Sequence, residues 1–443
     1  MSFTPQLELS SGNICHTERH LFFMDSNEEN ESENMTCDSL DYANMQSTIV
    51  IQQLMLTAFI VAGFVCTKTI YDNIRKRQAR MTVVVIGGGP IGLLSILIAA
   101  KTGKVRKLIL FEELCKKALL NKPHQLAMDP KSVVFLRKLG VDFDNIEGCW
   151  SNDSFFTHVG IFQEYLVNVI CRLDISKDLR FGHKFTRDSI KELECIEGRR
   201  MVIVCDGANG QAVRQLGLSD EFIQHSCRAY GAVAAIDRQD ASNVPLPERR
   251  YHNLFFDLSA YGTDTSQVDG HQGFSLKLFG GSRHRYMTLA TNKNESVLVK
   301  TLRVVLDRSV MRNIFLKCFN TYKDEGEKEI GDSVALKHMK FSSRLFEIKL
   351  SQRVETVGYF QESNTFVVAE GEAARCYNIH TGMDVNVGIK GLMSLSKLIT
   401  MATTAETEHA IMNTMQQKSN HAEQVCKDFL KNGLNEYVFL RPS

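Results

Sequence analysis

Two apolar stretches of different kind dominate the first quarter of the chain. Residues 49–66 are mainly apolar, and the wider span 42–67 carries no charge. Roughly 20 such residues let a helix cross a ~30 Å hydrocarbon core. Gln52 and Gln53 interrupt the pattern with amides that lipid disfavours. The second stretch is short: Val83, Val84, Val85 and Ile86 have the length and β-branched content of a strand buried on both faces. A glycine run, Gly87-Gly88-Gly89-Pro90-Ile91-Gly92, follows at once. An apolar helical segment, 93–101, and a second strand-like run, 107–111, lead to Glu112.

Further along, helical spacing is expected over 126–139, ending at Gly140, and over 159–173, where Ile161, Tyr165, Leu166, Val169 and Ile170 recur on one face. Residues 180–193 are expected as strand and turn, and 201–205 as a buried strand running into Asp206-Gly207-Ala208-Asn209-Gly210. From 216 to 355 the pattern changes to short alternating runs (229–236, 251–258, 273–279, 286–290) with a helical stretch over 300–322. Residues 366–369 are a last buried strand feeding Gly371, with a helix over 388–401 and another over 405–432.

Composition adds limits. The 443 residues are 44% hydrophobic and 23% charged, ordinary for a globular chain, and the net charge of +1 gives no basic excess for nucleic acid. Twelve cysteines lack a CxxC pair or zinc spacing, which predicts reduced, buried thiols in an intracellular domain. His158, His271, His284 and His380 are isolated, so no metal is expected. An acidic cluster (Asp25, Glu28, Glu29, Glu31, Glu33) precedes the long apolar span, and Lys68, Arg75, Lys76, Arg77 and Arg80 follow it. That asymmetry predicts a single-pass membrane helix with the C-terminal side in the cytosol. Two sequons, at Asn30 and Asn34, lie on the opposite side, and Met81 is a possible alternative start.

The chemistry concentrates in the strand–glycine–helix–strand unit. Gly87 permits the tight turn, Gly89 lets the backbone approach a pyrophosphate, and Gly92 allows close helix packing. Pro90 and Ile91 open the helix, whose N-terminus offers free N–H groups to phosphate. Glu112, at the strand tip, can accept from a ribose diol. Arg283, His284 and Arg285 read as a solvated turn, and Phe255, Phe256, Phe274 and Phe279 as sheet core rather than a substrate cage.

Three stretches occur in the same order as in a known family. GGGPIGL at 87–93, CDGA at 205–208 and GEAARCYNIHTGMDVNVGIKG at 371–391 resemble the motifs of the flavin-dependent aromatic hydroxylases. The group includes para-hydroxybenzoate hydroxylase and kynurenine 3-monooxygenase. Residues 158–170 are also similar to a helix of the actin-oxidising flavin monooxygenases, without their calponin-homology domain. The resemblance covers about 81–400 and implies an α/β fold: a Rossmann-like FAD-binding domain interleaved with an α+β substrate domain, after one transmembrane helix. It implies FAD, reduced by NADPH or NADH, and a monooxygenase acting on an unidentified substrate. Gly87, Gly89, Pro90, Ile91, Gly92, Glu112 and Lys122 would hold one end of the cofactor. Asp206, Gly207, Gly371, Glu372, Gly382, Asn386 and Gly388 would hold the rest.

The expected organisation is a disordered segment 1–47, a membrane helix 48–67, a basic linker 68–80, FAD-binding parts 81–215 and 361–402 around a substrate domain 216–360, and a helical tail 403–443. Departures from the pattern are specific. Glu372 replaces Asp, Arg375 replaces His, Ile379 replaces Pro and Asp384 replaces Gly, while Phe162 and Lys122 stand where Arg is frequent. A carboxylate at 384 pointing inward would repel a reduced, anionic flavin. Two alternatives therefore stay open: a flavin-binding scaffold or sensor without hydroxylation, and a NAD-dependent dehydrogenase using the first unit alone.

Overall fold

The structure, a computed structural model, describes residues 37–78, 80–238, 241–242, 244–262 and 273–439. The acidic cluster, the two sequons, His271 and most of the segment expected to be disordered lie outside these residues. The chain parts into two compact units, one ending at Ile74 and one spanning Arg75–Ser443.

The described part of the first unit belongs to helix α1 (Cys37–Gln78), which runs past the boundary at Ile74. Residues 37–47, expected to be structureless, and 68–78, expected as a linker, continue the helix in both directions. Within it Val50–Tyr71 is 22 residues long with mean hydropathy 1.9 and is fully exposed, long and apolar enough to cross a membrane. The hydroxyls of Thr57, Thr67 and Thr69 donate back to the carbonyls of Gln53, Gly63 and Val65 at 2.7–2.8 Å, which hides their polarity.

In the second unit a six-stranded sheet is formed by β1 (Met81–Ile86), β2 (Val105–Glu112), β6 (Ser176–Phe181), β7 (Arg200–Val204), β14 (Val357–Phe360) and β15 (Thr365–Ala369). Their order is β14-β15-β7-β1-β2-β6, parallel throughout except for the β14–β15 hairpin. Every residue of β1, β7 and β15 is buried, which explains their unbroken apolar runs. Alternate side chains serve opposite faces. Val83 and Val85 join a core with α2 (Pro90–Lys101), α5 (Val159–Arg172), α11 (Val385–Leu392) and α12 (Leu395–Thr404). Val84 and Ile86 pack with Leu193 of α6 (Arg187–Glu194) and Val213 of α7 (Ala212–Gln215). Helix α3 (Lys116–Leu120) follows β2, and α13 (Glu408–Leu434) packs on α11 and α12.

A three-stranded antiparallel sheet, β3 (Gln125–Met128), β5 (Ser154–His158) and β4 (Cys149–Ser151), lies beside α4 (Pro130–Lys138). A seven-stranded antiparallel sheet runs β16 (Arg375–Tyr377), β13 (Phe346–Arg353), β8 (Phe222–Asp237), β11 (His284–Asn292), β10 (Phe274–Gly280), β9 (Arg249–Leu254), with β12 (Met339–Phe341) also on β8. Helices α8 (Val297–Val304), α9 (Arg308–Tyr322) and α10 (Asp332–His338) bury Leu302, Phe315, Phe319 and Ala335 against it.

Four local expectations change. The helix expected over 126–139 begins as β3, because Pro130 favours an extended Asp129, whose carboxylate then caps α4 by accepting from Ser132 N–H at 2.7 Å. The turn expected in 180–193 holds α6, started by a Thr186–Ser189 capping box. The helix expected over 388–401 is two helices, α11 and α12. Arg285 is no solvated turn residue: it is fully buried and paired with Glu327 at 2.9 Å and Asp324 at 2.5 Å. Among the described cysteines none is disulfide-bonded, and Cys318 and Cys426 are buried, whereas Cys115, Cys171 and Cys195 are exposed.

Candidate functional site

A cavity of about 950 Å³ opens at the carboxyl ends of β1, β2, β7 and β15, the end of a parallel sheet where ligands bind. The three glycine-bearing stretches meet there, although they lie at 87–92, 206–210 and 371–388 in the chain. The volume is at the upper end of ordinary ligand pockets.

The first loop turns because Gly87 has φ +99°, where a Cβ would come within 2.4 Å of the Cys205 carbonyl oxygen. Gly92 packs even more tightly, since a Cβ would fall 1.8 Å from the Gly87 oxygen; it is buried and does not line the cavity. Gly89 differs. It caps α2 at φ −62°, ψ 173°, and nothing lies within 4 Å of an added Cβ. The space in front of it belongs to the cavity, next to Pro90 and Ile91. Glu112 is buried and held from both sides: Oε2 accepts from Gly88 N–H at 2.5 Å and Oε1 from Leu114 N–H at 2.7 Å. Each oxygen keeps a lone pair for a ligand, so the strand tip is already oriented. Gln163 of α5, which the sequence pattern did not single out, supports the loop by donating to the Gly88 carbonyl at 2.9 Å. Lys122 lines the same cavity.

In the second loop, Asp206 Oδ2 accepts from Ala212 N–H at 3.0 Å, while Oδ1 is buried without a partner. Burial raises its carboxyl above the usual range. A Cβ on Gly210 would overlap the Asp206 carboxyl, and Gly207 has φ +86°. The loop is therefore a compact turn with an unsatisfied polar atom.

The third loop starts at Gly371 (φ +63°), packed on Ile91, and returns through Gly382 (φ +76°), where a Cβ would meet the Phe279 ring at 2.8 Å. Glu372 faces the open cavity; desolvation by its walls, then the charge of Asp384, raise its carboxyl. Asp384 does not stand alone. Its carboxylate accepts from Thr381 Oγ1 at 2.9 Å and Thr381 N–H at 3.3 Å and meets His380 Nδ1 at 3.1 Å. Burial works against its charge, but these partners hold it below the usual carboxylate range. Asn386 does not line the cavity. It is fully buried, accepts from Asp129 N–H and donates to the Ala127 and Met383 carbonyls, so it clips α11 to β3. Gly388 reaches the cavity on the next turn, against Ile91.

Behind this loop Arg375 and Lys418 of α13 both pair with the fully buried Glu370. A ring cluster stands beside it, presenting His124 and His380 to the cavity: His124 stacks on Tyr286 at 5.9 Å, and His380 lies 5.5 Å from Phe279 and 5.6 Å from Tyr286. Burial, then His380, lowers the His124 pKa, and burial pushes the Tyr286 phenol up to about 12. Phe279 is buried sheet core and does not line the cavity; it backs His380. Gln125, which has no sequence signal, lines the cavity and binds the Gly280 N–H and the Leu246 carbonyl. Among the described residues, no three His, Cys, Asp or Glu side chains come together as a metal would need.

No family model matches the chain, and no curated protein does. Among solved structures it is similar to tetracycline destructase Tet(51), at 13% identity over 82% of this chain and 92% of that one, with a TM-score of 0.45. It is similar to p-nitrophenol 4-monooxygenase PnpA from Pseudomonas putida DLL-E4, at 14% identity over 78% and 89%, with a TM-score of 0.45. The Diels-Alderase PyrE3 of pyrroindomycin biosynthesis is also similar, at 12% identity over 78% and 71%, with a TM-score of 0.44.

Proposed function

We propose that Arg75–Ser443 binds FAD and acts as a monooxygenase reduced by NADPH or NADH, tethered to a membrane by α1 with the flavin unit on the cytosolic side. The observation that carries this reading is the convergence of three glycine loops on one cavity, with open space in front of Gly89. The residues fit the group. The Gly89 N–H and the α2 N-terminus would face the pyrophosphate and Glu112 the ribose, while the Gly87 and Gly88 N–H groups are spent on the Phe111 carbonyl and on Glu112, fixing the loop. Glu372 and the backbone from Gly382 to Gly388 would face the ribityl and ring end. The cofactor, when bound, supplies the oxygen chemistry; the chain binds it, orients it and excludes water with His124 and His380, which Tyr286 and Phe279 back from behind.

The first test is the absorbance spectrum of the purified chain: near-UV and blue flavin bands are expected, and a colourless protein that takes up no added FAD refutes the reading. A non-hydroxylating flavin scaffold is favoured by Glu372 and Asp384, two carboxylates at the end of the cavity that a reduced flavin would share. Anaerobic mixing with NADPH or NADH decides: flavin reduction is expected, with peroxide formed once air is admitted, and no reduction by either selects the scaffold. The third reading, a NAD-dependent dehydrogenase, needs only the first glycine loop. Protease treatment of sealed vesicles tests topology, and protection of 81–443 inside the lumen would contradict the cytosolic placement.

A further inference from the structure

Helices α8, α9 and α10 pack on the seven-stranded sheet, and exposed apolar side chains stand on α8, on the loop between α8 and α9, and on α10. Leu306 is 90% exposed, Val304 71%, Leu336 64% and Val297 57%. Val304 and Leu306 lie together at the α8–α9 corner. The α8–α9 corner and the α10–β12 corner are neighbours: Leu345 N–H donates to the Leu302 carbonyl at 2.9 Å, and the Arg308 guanidinium lies 5.5 Å from the Phe341 ring.

The same corners are basic. Residues 295–312 hold Lys300, Arg303, Arg308 and Arg312 against Glu295 and Asp307, and residues 332–344 add Lys337, Lys340 and Arg344 against Asp332. Asp307 is occupied as the α9 cap, accepting from Ser309 N–H at 2.8 Å, and Glu295 meets Lys300 at 3.4 Å. Seven cations against three anions stand out in a chain whose net charge is only +1.

We propose that this face docks on an anionic lipid surface, with Val304 and Leu306 entering the headgroup layer and the surrounding Lys and Arg meeting lipid phosphates. Exposed apolar side chains rimmed by basic ones are the signature of interfacial binding. A second copy of the chain is a poor occupant, because a two-fold contact would bring the same positive face against itself. The proposal rests on α1 as the membrane anchor.

The test uses the full chain reconstituted in vesicles, with its one tryptophan removed by Trp150→Phe and a reporter placed by Leu306→Trp. Lipids with brominated acyl chains quench tryptophan that enters them. Emission is expected to fall at least about twofold in vesicles containing anionic lipid, and less in purely zwitterionic ones. Adding Lys300→Glu and Arg308→Glu should remove most of the quenching. A reporter placed by Met412→Trp, on α13, should stay bright. A chain that floats with the vesicles but shows no quenching at 306 overturns the docking surface and leaves the anchor standing. Equal quenching at 306 and 412 also overturns it. A chain that does not float removes the anchor, and the docking proposal with it.

Discussion

Gly89→Val separates ligand binding from folding more cleanly than any other change in the first loop. At φ −62° and ψ 173° the backbone suits any L-residue, and no atom lies within 4 Å of the new Cβ. Valine is a poorer helix cap than glycine, but it also restricts the unfolded chain, so the net stability change should stay within about 1 kcal/mol. On a unit of this size that moves Tm by no more than about 2–4 °C. Binding should suffer far more. The branched side chain fills the space where phosphate would meet backbone N–H groups, and each charge-assisted hydrogen bond lost costs about 1.5–3 kcal/mol. Two such losses weaken Kd by roughly two to four orders of magnitude. The assay is FAD titration by absorbance and fluorescence, with thermal unfolding in parallel. Gly92→Ala is the opposite control: its Cβ would overlap the Gly87 oxygen, so it should lower Tm whether or not FAD is present. If Gly89→Val binds FAD like the wild type, the phosphate does not approach this loop and the assignment of the cavity is wrong.

Asp384→Gly, read from sequence alone, should speed flavin reduction by removing a repelling carboxylate. The structure adds a second effect, because that carboxylate also ties His380 and Thr381 into the loop: thermal unfolding should show about 1–3 kcal/mol lost in stability, and anaerobic stopped flow with no faster reduction would refute the repulsion argument. Lys418→Met leaves buried Glu370 with only Arg375 at 3.5 Å, and should cost about 3–5 kcal/mol by thermal unfolding; an unchanged Tm would mean the pair contributes little. His158 and His421 have pKa values lowered chiefly by burial. The unfolded chain then binds more protons at acid pH, so their contribution is intact above the ordinary histidine value of about 6.5 and is lost progressively below it. Tm should fall from pH 7.5 to 5.5, and His158→Gln should flatten the fall; a level profile would contradict it.

What the sequence determined by itself is what local pattern can encode. The all-buried strands β1, β7 and β15 read as unbroken apolar runs, and Gly87 and Gly92 declared themselves as residues where no Cβ fits. The apolar span in α1 was legible from composition, because 22 consecutive residues of mean hydropathy 1.9 need no tertiary contact to be recognised. Three glycine stretches could be named, but nothing in their spacing says that they share one cavity; the strand order β15-β7-β1-β2 does that. Side-chain direction was equally hidden. Asn386 belonged to the expected site yet clips β3 to α11, Asp384 turns onto His380 and Thr381, and Arg285 leaves its apparent surface turn for a buried ion cluster. His124 and Gln125 became cavity residues only because β3 pairs with β5 and brings them beside Tyr286 and Gly280. Periodicity fixes which face of an element is apolar. Where that face meets the rest of the chain depends on contacts between residues hundreds of positions apart, and those belong to the tertiary structure.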